Sequence, residues 1–120
     1  MKVARGIVRI KRIFEPQSRE DGVRILVDRL WPRGLSKADA AFDEWMKEAA
    51  PTPELRKWFG HDPSRFREFA RRYRAELDGN PEPVERLREM RRRGPVTLLY
   101  AARDEVYNHA CVLRDYLAAI

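Results

Sequence analysis

The sequence predicts an α/β domain: a small, mostly parallel central sheet of three to four strands, flanked by helices in three layers. Three observations lead there. Val23 to Val27 and Val96 to Ala102 are short, nearly continuous apolar runs, the pattern of strands covered on both faces. Between them lie helical patterns with explicit start and stop residues. The resulting order, roughly β-β-(β)-α-α-α-β-α, is most economically wound as parallel strands joined through helices.

In chain order, Val3 to Ile13 interleaves β-branched residues with Arg5, Arg9 and Lys11, as a half-exposed strand near a sheet edge does. A polar connection punctuated by Pro16 and Gly22 leads to the second strand, Val23 to Val27, interrupted only by Arg24. Ser36, with Asp39 three residues on, resembles a capping box and predicts a short helix. Phe42 to Met46 alternates imperfectly and is read as a third strand. Thr52-Pro53-Glu54 is a cleaner start: an N-cap, a proline at the first helical position and an acid in the first turn. That helix stops at Gly60. Asp62-Pro63 starts the next, which runs to about Asp78 with Phe66, Phe69, Ala70, Tyr73 and Leu77 on one stripe. Glu82 to Arg93 forms a further helix, closed by Gly94-Pro95. After the last strand, Asp104 is expected to cap a final helix whose core stripe is Val106, Ala110, Leu113, Leu117 and Ile120.

At 120 residues the chain is read as one domain, residues 1–120, long enough for a core without disulfides. No apolar run approaches the ~20 residues needed to cross a bilayer, and no signal-peptide pattern opens the chain, so a cytoplasmic location is expected. A single cysteine, Cys111, excludes an internal disulfide and a cysteine metal cluster, and the residues demand neither metal nor cofactor. The net charge of +6 suits nucleic acid or small anions as partners, so the placement of the charges decides more than their sum. Nothing in the sequence sets the oligomeric state, monomer or homodimer.

Two strand ends carry polar clusters: Asp28-Arg29-Leu30-Trp31-Pro32-Arg33-Gly34 and Arg103-Asp104 with Asn108. In open parallel sheets, ligands bind outside the carboxyl ends of the strands. These stretches, together with Glu54-Leu55-Arg56-Lys57-Trp58-Phe59-Gly60-His61 and Val96 to Ala102, resemble the signature of the YeaO-like proteins, the domain of unknown function 488. The resemblance covers essentially the whole chain. It implies an α/β domain of this size with no assigned reaction. Members more often carry Lys at the position of Arg103. A longer sister group has a Cys-His-Arg string near where Asn108-His109-Ala110 stand here; this chain lacks that cysteine, so thiol chemistry does not transfer.

Each candidate residue has a functional and a structural reading. Arg29 and Arg33 offer planar forks that match phosphate or carboxylate, or they pair with Asp28, Asp39 or Asp43 and staple the loop. Asp28 is a general base or a loop-capping carboxylate. Trp31 stacks on a ligand ring or packs over the edge of the core. His61 is an acid/base group supported by Asp62, or it fixes the break between two helices. Asp104 caps the last helix, whose amino end then faces an anion beside Arg103, with Asn108 one turn in and the Tyr100 hydroxyl in the same crevice. Cys111 has no partner placed to activate it.

Three functions follow. The first is a domain whose arginine-lined crevice binds a phosphate- or carboxylate-bearing small molecule. The second is a non-catalytic interaction or structural domain. The third, less favoured, is a nucleic-acid module using the basic helices, where i,i+4 acids such as Glu68 and Glu89 offset much of the charge.

Overall fold

The computed structural model describes residues 6–119. Four parallel strands, β1 (Val8–Arg12), β2 (Val23–Leu26), β3 (Glu44–Trp45) and β4 (Val96–Tyr100), form a sheet in the order β1-β4-β2-β3. β2 and β4 are central, as their nearly continuous apolar runs require, and β1 lies at an edge, as its interleaved cations require. The part of the first expected strand before Gly6 lies outside the described residues, as does Ile120.

The helices are α1 (Pro53–Phe59), α2 (Phe66–Asp78), α3 (Pro81–Arg93) and α4 (His109–Ala118). Thr52 caps α1 by accepting from Leu55 N–H, and Gly60 ends it in the left-handed region at φ 55°. Asp62 caps a single 3-10 turn, Pro63–Arg65, from which α2 continues. All four helices share one core with Ile25 and Val27 of the β2 strand and its exit, and with Val96, Leu98 and Tyr100 of β4.

The opposite face of the sheet is covered by irregular chain. Residues 13–22 cross it, held by Lys11 Nζ on Pro16 O (3.0 Å), by Arg9 on Glu20 O and by Thr97 Oγ1 on Asp21 O (2.8 Å). Residues 28–43 complete the cover with a smaller cluster in which Trp31, Leu35, Phe42 and Trp45 pack on Leu26, Leu99 and Ile13. Arg24, only 1 % exposed, points into this layer. It bonds Asp21 and donates Nε to Ala41 O (2.7 Å), so the one charged residue of the β2 run is an internal tie.

Two expected elements differ. No helix follows Ser36: its hydroxyl meets Asp39 N–H (3.2 Å) and Asp39 Oδ2 (2.7 Å) in an isolated turn, and the chain then runs to β3. The cap is real, but the apolar residues after it, Phe42 and Trp45, are drawn to the sheet. Asp104 does not cap the last helix. It folds a turn of its own, accepting from Val106 N–H and Tyr107 N–H (both 2.9 Å), while buried Asn108 caps α4 through Cys111 N–H (2.9 Å). Val106 is therefore 62 % exposed and not part of the core stripe.

Candidate functional site

A cleft of about 620 Å³ opens outside the carboxyl ends of β2 and β4. The loop after β2, the loop after β4 and the two ends of α1 build its walls. Two half-buried arginine staples fix these loops. Arg29 donates Nε to Pro51 O (3.0 Å) and Nη2 to Ala50 O (3.1 Å), binding the β2 exit to the segment before α1. Arg12, at the end of β1, does the same for the β4 exit through Ala102 O and Ala101 O (both 3.0 Å).

Asp28 joins the two central strand ends. Its Oδ2 accepts from Ala101 N–H (3.1 Å), and its carbonyl accepts from Trp45 Nε1 (2.7 Å). His109, on the first turn of α4, places Nε2 3.0 Å from Val27 O and 3.1 Å from Asp28 Oδ1. A ring nitrogen facing a carbonyl carries the proton, so Nε2 is the N–H of this imidazole. That N–H is directed at Val27 O, which leaves Asp28 Oδ1 buried at ion-pair distance but without a hydrogen bond.

The structure brings most of the sequence-predicted residues to this cleft: Asp28, Arg29, Trp31, Arg33, His61, Arg103, Asp104 and Asn108 all line it. Their roles divide. Trp31 donates Nε1 to Leu35 O (2.7 Å) and packs edge-on against Phe42 and Trp45, so it covers the core edge and also forms part of the wall. Asn108 is a filled cap and not a residue one turn into the helix, because its amide nitrogen also donates to Asp104 O (2.9 Å). The Asp104 carboxyl is held below the usual carboxylate range by the Tyr107 and Val106 N–H groups. His61 sits at the mouth at φ 57° and has no side-chain hydrogen bond among the described residues. Asp62 does not support it: that carboxylate accepts from Ser64 N–H (3.0 Å) and Ser64 Oγ (2.7 Å) and faces Arg65.

Tyr100 is the exception. Along β4 the side chains of residues 96, 98 and 100 share the helix-side core, so the Tyr100 ring is 2 % exposed and does not line the cleft. Burial, with Glu105 adding to it, pushes its hydroxyl up to about 12. Sequence reasoning missed Arg56, on α1, and His109. Arg56 stands three residues before Phe59, one turn away on the same helix face, and that spacing was a usable signal. His109 has no such signal, since only the fold reveals that the turn after Asn108 abuts the β2 exit.

None of the three aspartates considered as partners for the loop arginines takes that role. Asp28 is engaged as described, Asp39 bonds Ser36, and Asp43 accepts from Arg24 N–H (2.8 Å). Among the described residues, the side chains of Arg33, Arg56 and Arg103 make no ion pair or hydrogen bond, and all three residues are exposed at the cleft. Elsewhere the basic surface is largely compensated. Glu68 takes Arg71 (2.6 Å) and Arg72 (2.7 Å), Glu89 takes Arg92 (2.9 Å) and Arg93 (3.3 Å), and Glu44 takes Arg86 (2.7 Å).

A family model described as the inactive DUF488-N3 subclade matches residues 7–120. The chain belongs to that family. It is also 44% identical over 113 residues to the uncharacterized protein YeaO of Escherichia coli (strain K12), covering 94% of this chain and 98% of the relative. The uncharacterized proteins Mb3100c of Mycobacterium bovis and Rv3073c of Mycobacterium tuberculosis are each 44% identical over 110 residues, 92% of both chains. No solved structure matches it. The YeaO-like DUF488 resemblance and the parallel α/β architecture are both borne out. Among the described residues, no helix is long and apolar enough to cross a membrane.

Proposed function

We propose that this member of the DUF488-N3 subclade is a binding domain whose strand-end cleft takes a small molecule bearing a phosphate or carboxylate, held by Arg33, Arg56 and Arg103. The observation that carries the reading is the contrast between arginines. Those that staple loops, Arg12 and Arg29, each give two donors to backbone carbonyls, whereas Arg33, Arg56 and Arg103 are exposed at the cleft and make no side-chain hydrogen bond among the described residues. Four arginines against two aspartates leave the lining net positive, which favours an anion.

Binding without turnover is the better-supported form. Among the described residues the lining holds no serine, threonine or cysteine, and Cys111 lies against Glu105 O (3.7 Å), its thiol pushed up by burial. Asp28 and His109 hold the strand ends to α4, which accounts for both without a reaction. The word inactive in the family description accords with this.

The test is calorimetric titration with orthophosphate, nucleoside monophosphates, sugar phosphates and organic acids, on the native chain and on Arg33→Ala and Arg103→Ala. Each lost charge-assisted contact costs about 1.5–3 kcal/mol, so an affected ligand weakens by about tenfold or more. Melting without ligand stays unchanged, because neither side chain has an internal partner. If nothing in the panel binds, or if affinities ignore both substitutions, the reading is wrong.

A further inference from the structure

The polarity of the cleft changes with depth. Its exposed lining residues are Leu30, Arg33, Arg56, His61 and Arg103, four of them cationic or able to become so. Its buried lining residues are Pro32, Ala50, Pro51, Phe59, Phe69 and Asn108. Five of these six are apolar at the side chain, and the Asn108 amide is engaged at both ends. Phe59 and Phe69 stack with centroids 4.3 Å apart at 17°, giving a rigid apolar floor. The one anionic group at depth is Asp28, with Oδ1 already short of a hydrogen bond.

An oxyanion driven to that floor would meet phenyl rings, methyl groups and the Asp28 carboxylate, and the one half-buried guanidinium of the lining, Arg29, already gives Nε to Pro51 O and Nη2 to Ala50 O. At the mouth it meets three unengaged guanidinium groups. The volume of about 620 Å³ also lies within the range of organic-ligand pockets and far exceeds what a bare phosphate fills.

We propose that the ligand is an amphiphile bound head-out: an oxyanion on Arg33, Arg56 and Arg103 at the mouth, and an apolar body running inward over Ala50, Pro51 and the Phe59–Phe69 floor. This rests on the anion reading above and adds the ligand's second half and its direction. A carboxylate and a phosphate monoester share the head chemistry, and the body is hydrocarbon or aromatic.

The experiment is titration of the native chain with acetate, butyrate, hexanoate and octanoate, with orthophosphate, hexyl phosphate and neutral octanamide as companions. Burial of each methylene gains about fourfold in affinity, from ~0.8 kcal/mol per group. The expected result is a steady rise from acetate to octanoate, octanamide at least tenfold weaker than octanoate, and hexyl phosphate far tighter than orthophosphate. Arg33→Ala lowers octanoate affinity by about tenfold and leaves the gain per methylene intact. Hexyl phosphate against hexanoate then tells which head the mouth prefers. A flat series in which acetate and orthophosphate bind as well as octanoate overturns the head-out arrangement while the anion reading survives. Octanamide binding as tightly as octanoate overturns both, since it removes the role of the arginines. Failure of every probe to bind overturns the head-out arrangement, and the anion reading then stands or falls with the nucleotide and sugar-phosphate titrations above.

Discussion

Replacing Arg29 by alanine tests whether the most conspicuous arginine of the chain is a staple or a ligand contact. Its Nε and Nη2 donate to Pro51 O and Ala50 O at 3.0 and 3.1 Å, and both carbonyls are partly buried. A hydrogen bond from a charged donor contributes about 1.5–3 kcal/mol. Half-exposure and the recovered freedom of a long side chain offset part of two such bonds, leaving a loss of about 2–4 kcal/mol. For a domain of this size that lowers the melting midpoint by roughly 8–16 °C, at about 4 °C per kcal/mol. The assay is urea unfolding followed by tryptophan fluorescence, with Arg33→Ala as the internal control. The control stays within about 0.5 kcal/mol of the native chain, as expected for an exposed side chain without partners. Arg29→Lys reaches one carbonyl at a time and falls between the two. If Arg29→Ala and Arg33→Ala are equally stable, water replaces the guanidinium at Ala50 and Pro51, and the division between staple and mouth arginines is refuted. Loss of ligand by Arg29→Ala would by itself say nothing about contact, because the same substitution releases one wall of the cleft.

Three further outcomes are expected. Gly22→Ala fails to fold or is destabilised by more than about 3 kcal/mol, since φ is +63° and a Cβ would lie 2.1 Å from Pro95 O; Gly34→Ala, at φ +78° with open space around it, loses only about 1–2 kcal/mol by chemical denaturation. Asn108→Ala lowers stability by about 1–2 kcal/mol through the lost α4 cap, whereas Asp104→Ala leaves the helicity of α4 unchanged by circular dichroism. Burial raises the Asp21 carboxyl, but Lys11, the Ser18 N–H and Arg24 outweigh it and hold the group below 3.8. Its contribution is therefore complete above that value and is lost as pH falls through the lower folded one. Asp21→Asn is less stable than the native chain at pH 7, and the gap closes in acid; a gap that persists to the acid transition would mean that shape, not charge, sets the cost.

Signals that act within one turn were legible in the sequence. Thr52-Pro53 and Gly60 bound α1, and Pro81 and Gly94 bracket α3, because caps and proline act locally on the backbone. The central strands were legible because burial on both faces leaves no room for alternation. What failed was local chemistry overruled by packing. Ser36 and Asp39 form the cap of a helix that never starts, because Trp31, Phe42 and Trp45 gain more by covering Leu26 and Leu99. Asp104 and Asn108 are both acceptable N-caps four residues apart, and the sequence gives no reason to prefer the second. Burial decides it: Asn108 is 1 % exposed, and its amide nitrogen reaches back to Asp104 O. For the candidate site, eight of the nine singled-out residues line one cleft. The miss, Tyr100, is a parity error of one residue, since its side chain follows Val96 and Leu98 while the Ala101 that follows turns toward the cleft.

The same arrangement occurs at both strand exits. After β2, Asp28 and Arg29 turn inward to hold the backbone, and Arg33 follows at the mouth. At the β4 exit, Arg12 holds the carbonyls of Ala101 and Ala102, and Arg103 follows at the mouth. A staple must be arginine, because two carbonyls need two N–H vectors held in one plane, which an ammonium cannot supply. A mouth residue needs only charge and reach. The two classes therefore respond differently to the same exchange. Lysine at 12 or 29 costs stability even without ligand, while lysine at 33 or 103 leaves the fold intact and keeps part of the anion affinity. Were all four exchanges to lower stability alike, the mouth arginines would have internal partners and the cleft would be a structural seam.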